Sequence, residues 1–421
     1  MTDEIFCKRC LYGATHPLGI TFDEEGVCSG CRIHEEKDYL DWDRRWKSLK
    51  KLIDYYKSSD QSTYDCVIPV TGANDSHFIV HVVKNLLGLN PLLVCYNKYF
   101  NTPLGIRNLA NLRIKFNCDI LYQNVNPHSV KKIIRVTLHR FGSIYWPILA
   151  GHTVWPVQVA VKHKIPLIIW GAHQGLEQVG MFSHRQNVEM TRRYRKDHDL
   201  MGSEASDLVT TFNNLNDEDV WQYHYPSESA LEDRGVRGIY LGNYVRWDPL
   251  AQHNEMVDKY DYQGAVSSRT IDTFDYGDCF NYMNLHDLTK IYKHGYSKIT
   301  DHMSREIRFG RITRKEACKV VLEHENNLPE FSELFTDWLG ITPNALEFVL
   351  NQHRNPKFWN RVSPSKWLFN GWSKIRQEGN LEEPNEQVTE DNLDKLFKAK
   401  SSVLLDQKKN EYITFGKGWP L

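Results

Sequence analysis

No apolar run in this 421-residue chain reaches the roughly 18 residues that a membrane-spanning helix needs, so no membrane segment is expected. An excess of charge of either sign is also missing. The formal net charge is −1, which gives no global field for nucleic acid or an anionic membrane. The densest basic run, Arg192, Arg193, Arg195 and Lys196, reads as a solvated face. The opening residues M-T-D-E-I-F-C-K-R-C lack the charged and apolar regions of a signal peptide, so cytoplasm is the expected location. The nine cysteines are odd in number, and in a reducing compartment they argue against a disulfide framework. Neither G-x-x-x-x-G-K-[ST] nor G-x-G-x-x-G occurs, and there is no internal repeat.

What is present is the composition of a globular protein, 41% hydrophobic and 25% charged, with length for two or three domains. Cys7-Lys-Arg-Cys10 and Cys28-Ser-Gly-Cys31 form two C-x-x-C pairs separated by 17 residues. That spacing is the signature of a four-thiolate zinc site, in which tight turns aim all four sulfurs at one ion. Four protein ligands leave no open position, so a structural zinc is expected, and it supplies the folding energy of a segment with little core. A redox role for either pair is the alternative. Residues 35–60 carry Trp42, Trp46, Leu49, Leu52 and Ile53 at helical spacing, which predicts one helix packing the ribbon onto the next domain. Ser58–Thr63 reads as a polar linker.

From Tyr64 short apolar runs alternate with amphipathic segments. Strands are expected at 64–70, 90–96, 119–124 and 165–170, and helices at 75–88, 103–117, 128–141 and 151–163. This alternation predicts a parallel sheet covered on both faces, with ligands at the carboxyl ends of its strands. Thr71-Gly72-Ala73-Asn74-Asp75-Ser76 falls at the end of the first strand. A helix beginning near Asp75 would turn its free N–H groups towards an anion. The hydroxyls of Thr71 and Ser76 can donate to phosphate, and Asp75 can hold Mg²⁺ against it. The competing reading is a capped helix start, since Asp and Ser are good N-caps.

A second candidate is Trp170-Gly171-Ala172-His173-Gln174-Gly175-Leu176-Glu177 at the end of the fourth strand, where His173 and Glu177 could face the same crevice as Asp75. The alternatives are a loop histidine and a helix N-terminal acid. Tyr145–His152 reads as a packed loop, with His152 in the cap region of the next helix. Further on, Asp301, His302, Arg305, Arg308 and Arg311 are expected around a turn. They suit an acidic sugar or a diphosphate, or equally a structural ion-pair network. Helical runs are expected near 285–296, 313–325 and 344–353. The acidic stretch 380–392 reads as a linker.

The order of these segments resembles the N-acetyl sugar amidotransferases of surface-polysaccharide and nonulosonic-acid biosynthesis, within the PP-loop (ATP pyrophosphatase) superfamily. The matching residues are the paired C-x-x-C motifs, the degenerate loop T-G-A-N-D-S, N-P-L-L-V, N-T-x-x-G-x-x-N-L-x-N-L, K-I-P-L-I-I-W-G, N-Y-V-R-W-D, and D-H followed by R-x-G-R-I-T-R-x-E-A. They span roughly residues 5–330. The resemblance implies an α/β fold: a parallel-sheet PP-loop, adenine nucleotide alpha-hydrolase-like domain at 61–250. An N-terminal zinc ribbon and linking helix (1–60) precede it. Beyond it lie a helical C-terminal region (251–375) and an acidic linker and tail (376–421).

It also implies a chemistry. ATP phosphates lie on the loop, the acetamido oxygen attacks the α-phosphate, pyrophosphate leaves, and ammonia displaces AMP to give an acetamidino group. Thr71, Gly72, Ala73, Asn74, Asp75, Ser76 and Gly171 are then ATP-binding, with Asp75 on Mg²⁺. Asp75, Ser76, Glu177 and His173 are catalytic candidates, and Asp301, His302 and Arg305 substrate-binding ones. Thr102, Gly105 and Asn108 match the segment after the second strand. Glutaminase- and cyclase-like subunits would supply ammonia.

The chain departs from the family at Ala73, where glycine is usual, at Asn74, where lysine is frequent, and at Ala172, where W-G-E-N becomes W-G-A-H. If position 73 needs φ > 0, its methyl costs on the order of 1 kcal/mol or more. A C-x-x-C near 145–148 is also absent. Two rival readings are a tRNA sulfurtransferase of the same superfamily and an impaired relative serving as a binding subunit. Neutral charge and the missing cysteines count against the first.

Overall fold

The computed structural model describes residues 5–57, 63–99, 101–210, 214–274, 280–324, 332–363, 366–371 and 373–379. The expected linker lies outside them apart from Thr63, as does the acidic stretch 380–392 with the rest of the tail.

Five strands form one parallel sheet: β1 (Cys66–Pro69), β2 (Pro91–Tyr96), β3 (Ile120–Gln123), β4 (Leu167–Trp170) and β5 (Arg237–Tyr240). Their spatial order is β3-β2-β1-β4-β5. The first four fall inside the expected runs. The fifth is an addition, because R-G-I-Y is too short and too mixed to stand out as an apolar run. Alternation along β1 builds the core on both faces. Val67 packs with Leu92, Val157, Ala160 and Ile168, and Ile68 packs with Leu49, Ile53, Leu93, Val80 and Leu112.

The helices begin where the sequence supplies caps. α1 (Ser29–Tyr39) and α2 (Trp42–Tyr56) replace the single helix expected over 35–60. The Asp41 carboxylate accepts the Arg44 N–H and starts α2, so the chain turns between them. α3 (Asn74–Val80) runs on into a π-helical stretch, His81–Leu86. α4 (Pro103–Phe116) is capped by Thr102, and α5 (Pro127–Phe141) by Asn126. α6 (Trp146–His163) corrects the loop expected at 145–152. Pro147 sits in its first turn, where proline is tolerated, and His152 is interior to the helix.

The C-terminal region contains the helices Pro249–Tyr260, Phe280–His294, Lys298–Arg308, Arg314–Glu323, Ser332–Leu339, Pro343–Gln352 and Ser373–Gly379. Asp301, His302, Arg305 and Arg308 therefore lie along one helix and not around a turn. A hairpin, Trp359–Ser363 with Lys366–Phe369, is a further addition.

Candidate functional site

At β1 the strand order reverses. The chain moves outwards to β2 and β3, then returns to place β4 on the other side of β1. Such a switch point leaves a crevice outside the carboxyl ends of the two central strands. A cavity of about 250 Å³ lies there. One side is the β1–α3 loop with Thr71, Ala73, Asp75 and Ser76, and the end of β4 adds Gly171 and Ala172. The other walls are Tyr96, Trp170, His152, Pro156, Ile79 and Val94. Hydroxyls and a carboxylate thus face an aromatic and apolar wall, a division suited to a ligand with a charged end and a flat apolar end.

The loop holds its own shape. Ser76 Oγ accepts the Thr71 N–H at 2.9 Å, and Thr71 Oγ1 accepts the Ala73 N–H at 3.2 Å. Gly72 has φ +84°. A Cβ there would meet the Gly105 carbonyl and Leu109 at 3.2 Å, so the α4 segment supports the loop from beneath. Ala73 has φ −69°, an ordinary value, so its methyl carries no backbone cost. Ala73 is itself the helix N-cap and makes no side-chain cap bond, so neither Asp75 nor Ser76 is there to cap.

Two loop residues expected at the ligand do not line the crevice. Gly72 turns beneath it, and Asn74 is 1% exposed with both amide atoms buried and unpartnered. His173 and Glu177 also lie elsewhere. His173 is buried, and its Nδ1 accepts the Gly175 N–H at 3.0 Å. Its ring sits among Phe182, Tyr194 and Tyr240, and burial lowers its pKa to about 4. The Glu177 carboxylate lies 2.6 Å from Lys37 Nζ on α1. Sequence reasoning missed Tyr96, gave the Trp170 ring no role although Trp170 opens the second candidate stretch, and placed His152 in a helix cap in preference to a ligand position. Burial holds the His152 imidazole well below its usual pKa. Pro156 lacks an N–H, so the His152 carbonyl cannot receive the usual i+4 bond beside the cavity. Thr102 caps α4, and Asn108 Nδ2 donates to the Gln263 carbonyl at 2.8 Å, so both are structural supports.

The four N-terminal cysteines converge. Their sulfurs lie within 4.8 Å of one another, with Cys7 to Cys31 at 4.0 Å and Cys10 to Cys28 at 3.5 Å. A zinc tetrahedron with bonds near 2.3 Å has edges of about 3.8 Å, so the cluster fits that ion. The backbone N–H groups of Arg9, Cys10 and Cys28 all donate to Cys7 Sγ, at 3.3, 3.4 and 3.2 Å. N–H donors to sulfur stabilise a thiolate in preference to a thiol. All four are buried, as a structural site requires. They could bind a structural zinc.

The candidate substrate residues form an ion-pair network. Asp301 accepts from Tyr12 Oη at 2.8 Å and pairs with Lys290. His302 Nδ1 lies 2.5 Å from Thr270 Oγ1, and Arg305 pairs with Asp272 at 3.1 Å and Glu306 at 2.7 Å. Arg311 joins Glu306 and Asp248. None of them lines the crevice. In the basic run, Arg195 departs from the expected solvated face. It is 4% exposed, bonded to Thr153 and Glu204, while the Arg193 side chain is exposed.

Residues 268–374 match the family model described as LPS biosynthesis protein WbpG-like, C-terminal domain.

The match covers about a quarter of the chain and fits a place in surface-polysaccharide biosynthesis. No curated protein matches the chain. The WbpG-like segment holds the ribbon as well as its own helices. Ser304 Oγ accepts the Leu11 N–H at 3.2 Å, and the Arg314 guanidinium donates to the carbonyls of Cys7 and Cys10. Leu11 packs in one cluster with Ile299, Met303, Ile312 and Val321.

Proposed function

We propose that the chain is an ATP-dependent amidotransferase acting on an N-acetyl sugar in surface-polysaccharide biosynthesis, and that the crevice between β1 and β4 is its nucleotide site. One observation carries this reading: a hydroxyl-rich turn and an aromatic wall meet at the switch point of a parallel sheet. The Thr71 and Ser76 hydroxyls and the first turn of α3 suit the phosphates of ATP as substrate, and Asp75 suits Mg²⁺, which would offset charge developing on pyrophosphate. Tyr96 and Trp170 suit the purine. The amide oxygen would attack the α-phosphorus as pyrophosphate leaves. Ammonia would then add at the amide carbon, and AMP would leave carrying the oxygen. Glutaminase- and cyclase-like subunits would deliver that ammonia. The ordinary φ of Ala73 removes one support of the impaired-relative reading.

The test incubates the full chain with ATP, Mg²⁺, ammonium and acetamido sugars, followed by mass spectrometry. Formation of AMP together with a sugar whose oxygen is exchanged for NH supports the assignment. Absence of both AMP formation and calorimetric ATP binding would sink it and leave a binding subunit.

A further inference from the structure

Arg308 is a cation without a carboxylate. It ends the helix Lys298–Arg308 in the WbpG-like segment, its Nε is buried with no partner, and among the described residues no acidic side chain pairs with it. Its Nη2 lies 3.8 Å from Cys28 Sγ and 3.9 Å from Cys10 Sγ. Its Nη1 donates to the Glu177 carbonyl at 2.9 Å. The guanidinium thus has one arm on the cysteine cluster and the other on the loop that leaves β4 through Gly171 and Ala172.

The three parts meet too closely for chance contact. A Cβ on Gly30 would overlap both Arg308 Nη2 and the Gln178 carbonyl. Ser29 Oγ donates to the Val179 carbonyl at 2.5 Å, and Lys37, two turns along α1 from Cys31, holds the Glu177 carboxylate. A partly buried guanidinium is costly unless an anion compensates it. Four thiolates around a divalent ion carry a net charge of −2 and provide that anion. Four thiols do not.

We propose that metal at the four-cysteine centre latches the WbpG-like segment to the β4 loop through Arg308, so that losing the metal loosens the Lys298–Arg308 helix and residues 174–180 as well as the ribbon. This is independent of the ligand that the crevice binds.

The experiment is hydrogen exchange on the full chain, zinc-loaded and chelator-stripped, for wild type and Arg308→Met. In wild type, stripping should remove protection from 298–308 and 174–180, more than 140 residues from the nearest cysteine of the four-thiolate cluster. In Arg308→Met no charge is stranded, so stripping should cost those segments much less. The variant should also surrender zinc to a chromophoric chelator about tenfold faster or more, the usual cost of losing an outer-shell partner. Arg308→Lys keeps the charge but cannot span both partners. It should release zinc at an intermediate rate, and it serves if the methionine variant does not fold. Wild-type exchange that changes only within the ribbon would overturn the proposal. So would equal loss in wild type and Arg308→Met, which assigns the effect to packing alone, or zinc release at the wild-type rate in both variants.

Discussion

At the scale of single residues, the loop after β1 turns on which of two neighbours needs to be glycine. Gly72 does, with φ +84° and a Cβ position only 3.2 Å from the Gly105 carbonyl and Leu109, whereas Ala73 does not. Gly72→Ala should therefore destabilise the chain by roughly 1–2 kcal/mol from the left-handed backbone alone. Ala73→Gly should leave stability within about 0.5 kcal/mol, because glycine is the better N-cap and its larger backbone entropy cost offsets that gain. Paired thermal melts check this, and equal shifts for the two variants would contradict it. Asp199 gives a second test. Burial pushes its carboxyl up to about 7, although Arg195 pulls the other way. The folded chain then keeps a proton that the unfolded chain gives up near pH 4, so stability declines from about pH 4 to 7 and the full penalty stands above pH 7. Asp199→Asn cannot ionise. It should raise the melting temperature at pH 8 and leave it unchanged at pH 4, and an equal gain at both would show that the carboxyl titrates normally.

Between elements, the Lys37–Glu177 pair joins α1 to the segment after β4, and its two halves are not equivalent. Lys37 is 1% exposed on its side chain, whereas Glu177 is 21% exposed. Glu177→Gln strands a buried ammonium and should cost about 3 kcal/mol, while Lys37→Met leaves a carboxylate that water can reach and should cost less. Denaturant titration measures the order, and the reverse order would place the burial on the wrong partner. A Glu177→Gln variant that lost turnover without losing stability would restore Glu177 to the chemistry.

The same elements show what the sequence could disclose. Four strands were legible because buried parallel strands are written as continuous apolar runs. The two-helix start was not, since Trp42, Leu49 and Ile53 keep helical spacing while the break depends on how Asp41 caps. The beginning of α6 was hidden by Pro147 and Gly151, which mark loops in general. Here Pro147 opens the helix, and Gly151 makes room for the Tyr96 ring. The loop Thr71–Ser76 was readable from residue types. Its facing wall was not, because only the strand order brings Tyr96 and Trp170 to Thr71. The same holds for His173, whose ring turns into an aromatic cluster that no local pattern announces.

Across the whole molecule, the WbpG-like segment is woven into the structure and not appended to it. Phe335, Leu339, Leu346 and Leu350 share a core with Ile133, Ile134 and Leu138 of α5. Leu11 of the ribbon is 1% exposed and packs in one cluster with Ile299, Met303 and Val321. The four-cysteine centre depends on the same segment, through the Arg314 bonds to the Cys7 and Cys10 carbonyls. A chain ending at residue 267 would expose two apolar faces and lose these donors at once. Exposed apolar faces of that kind give association or a loosely packed state, not a smaller native domain. Residues 1–267 expressed alone should therefore bind a hydrophobic dye, melt without cooperativity and hold zinc below one equivalent. Limited proteolysis of the full chain should accumulate no stable fragment ending near 267. A cooperative melt of the 1–267 chain with one zinc retained would show that the sheet and ribbon fold without the C-terminal helices, and that the shared clusters form after folding and do not drive it.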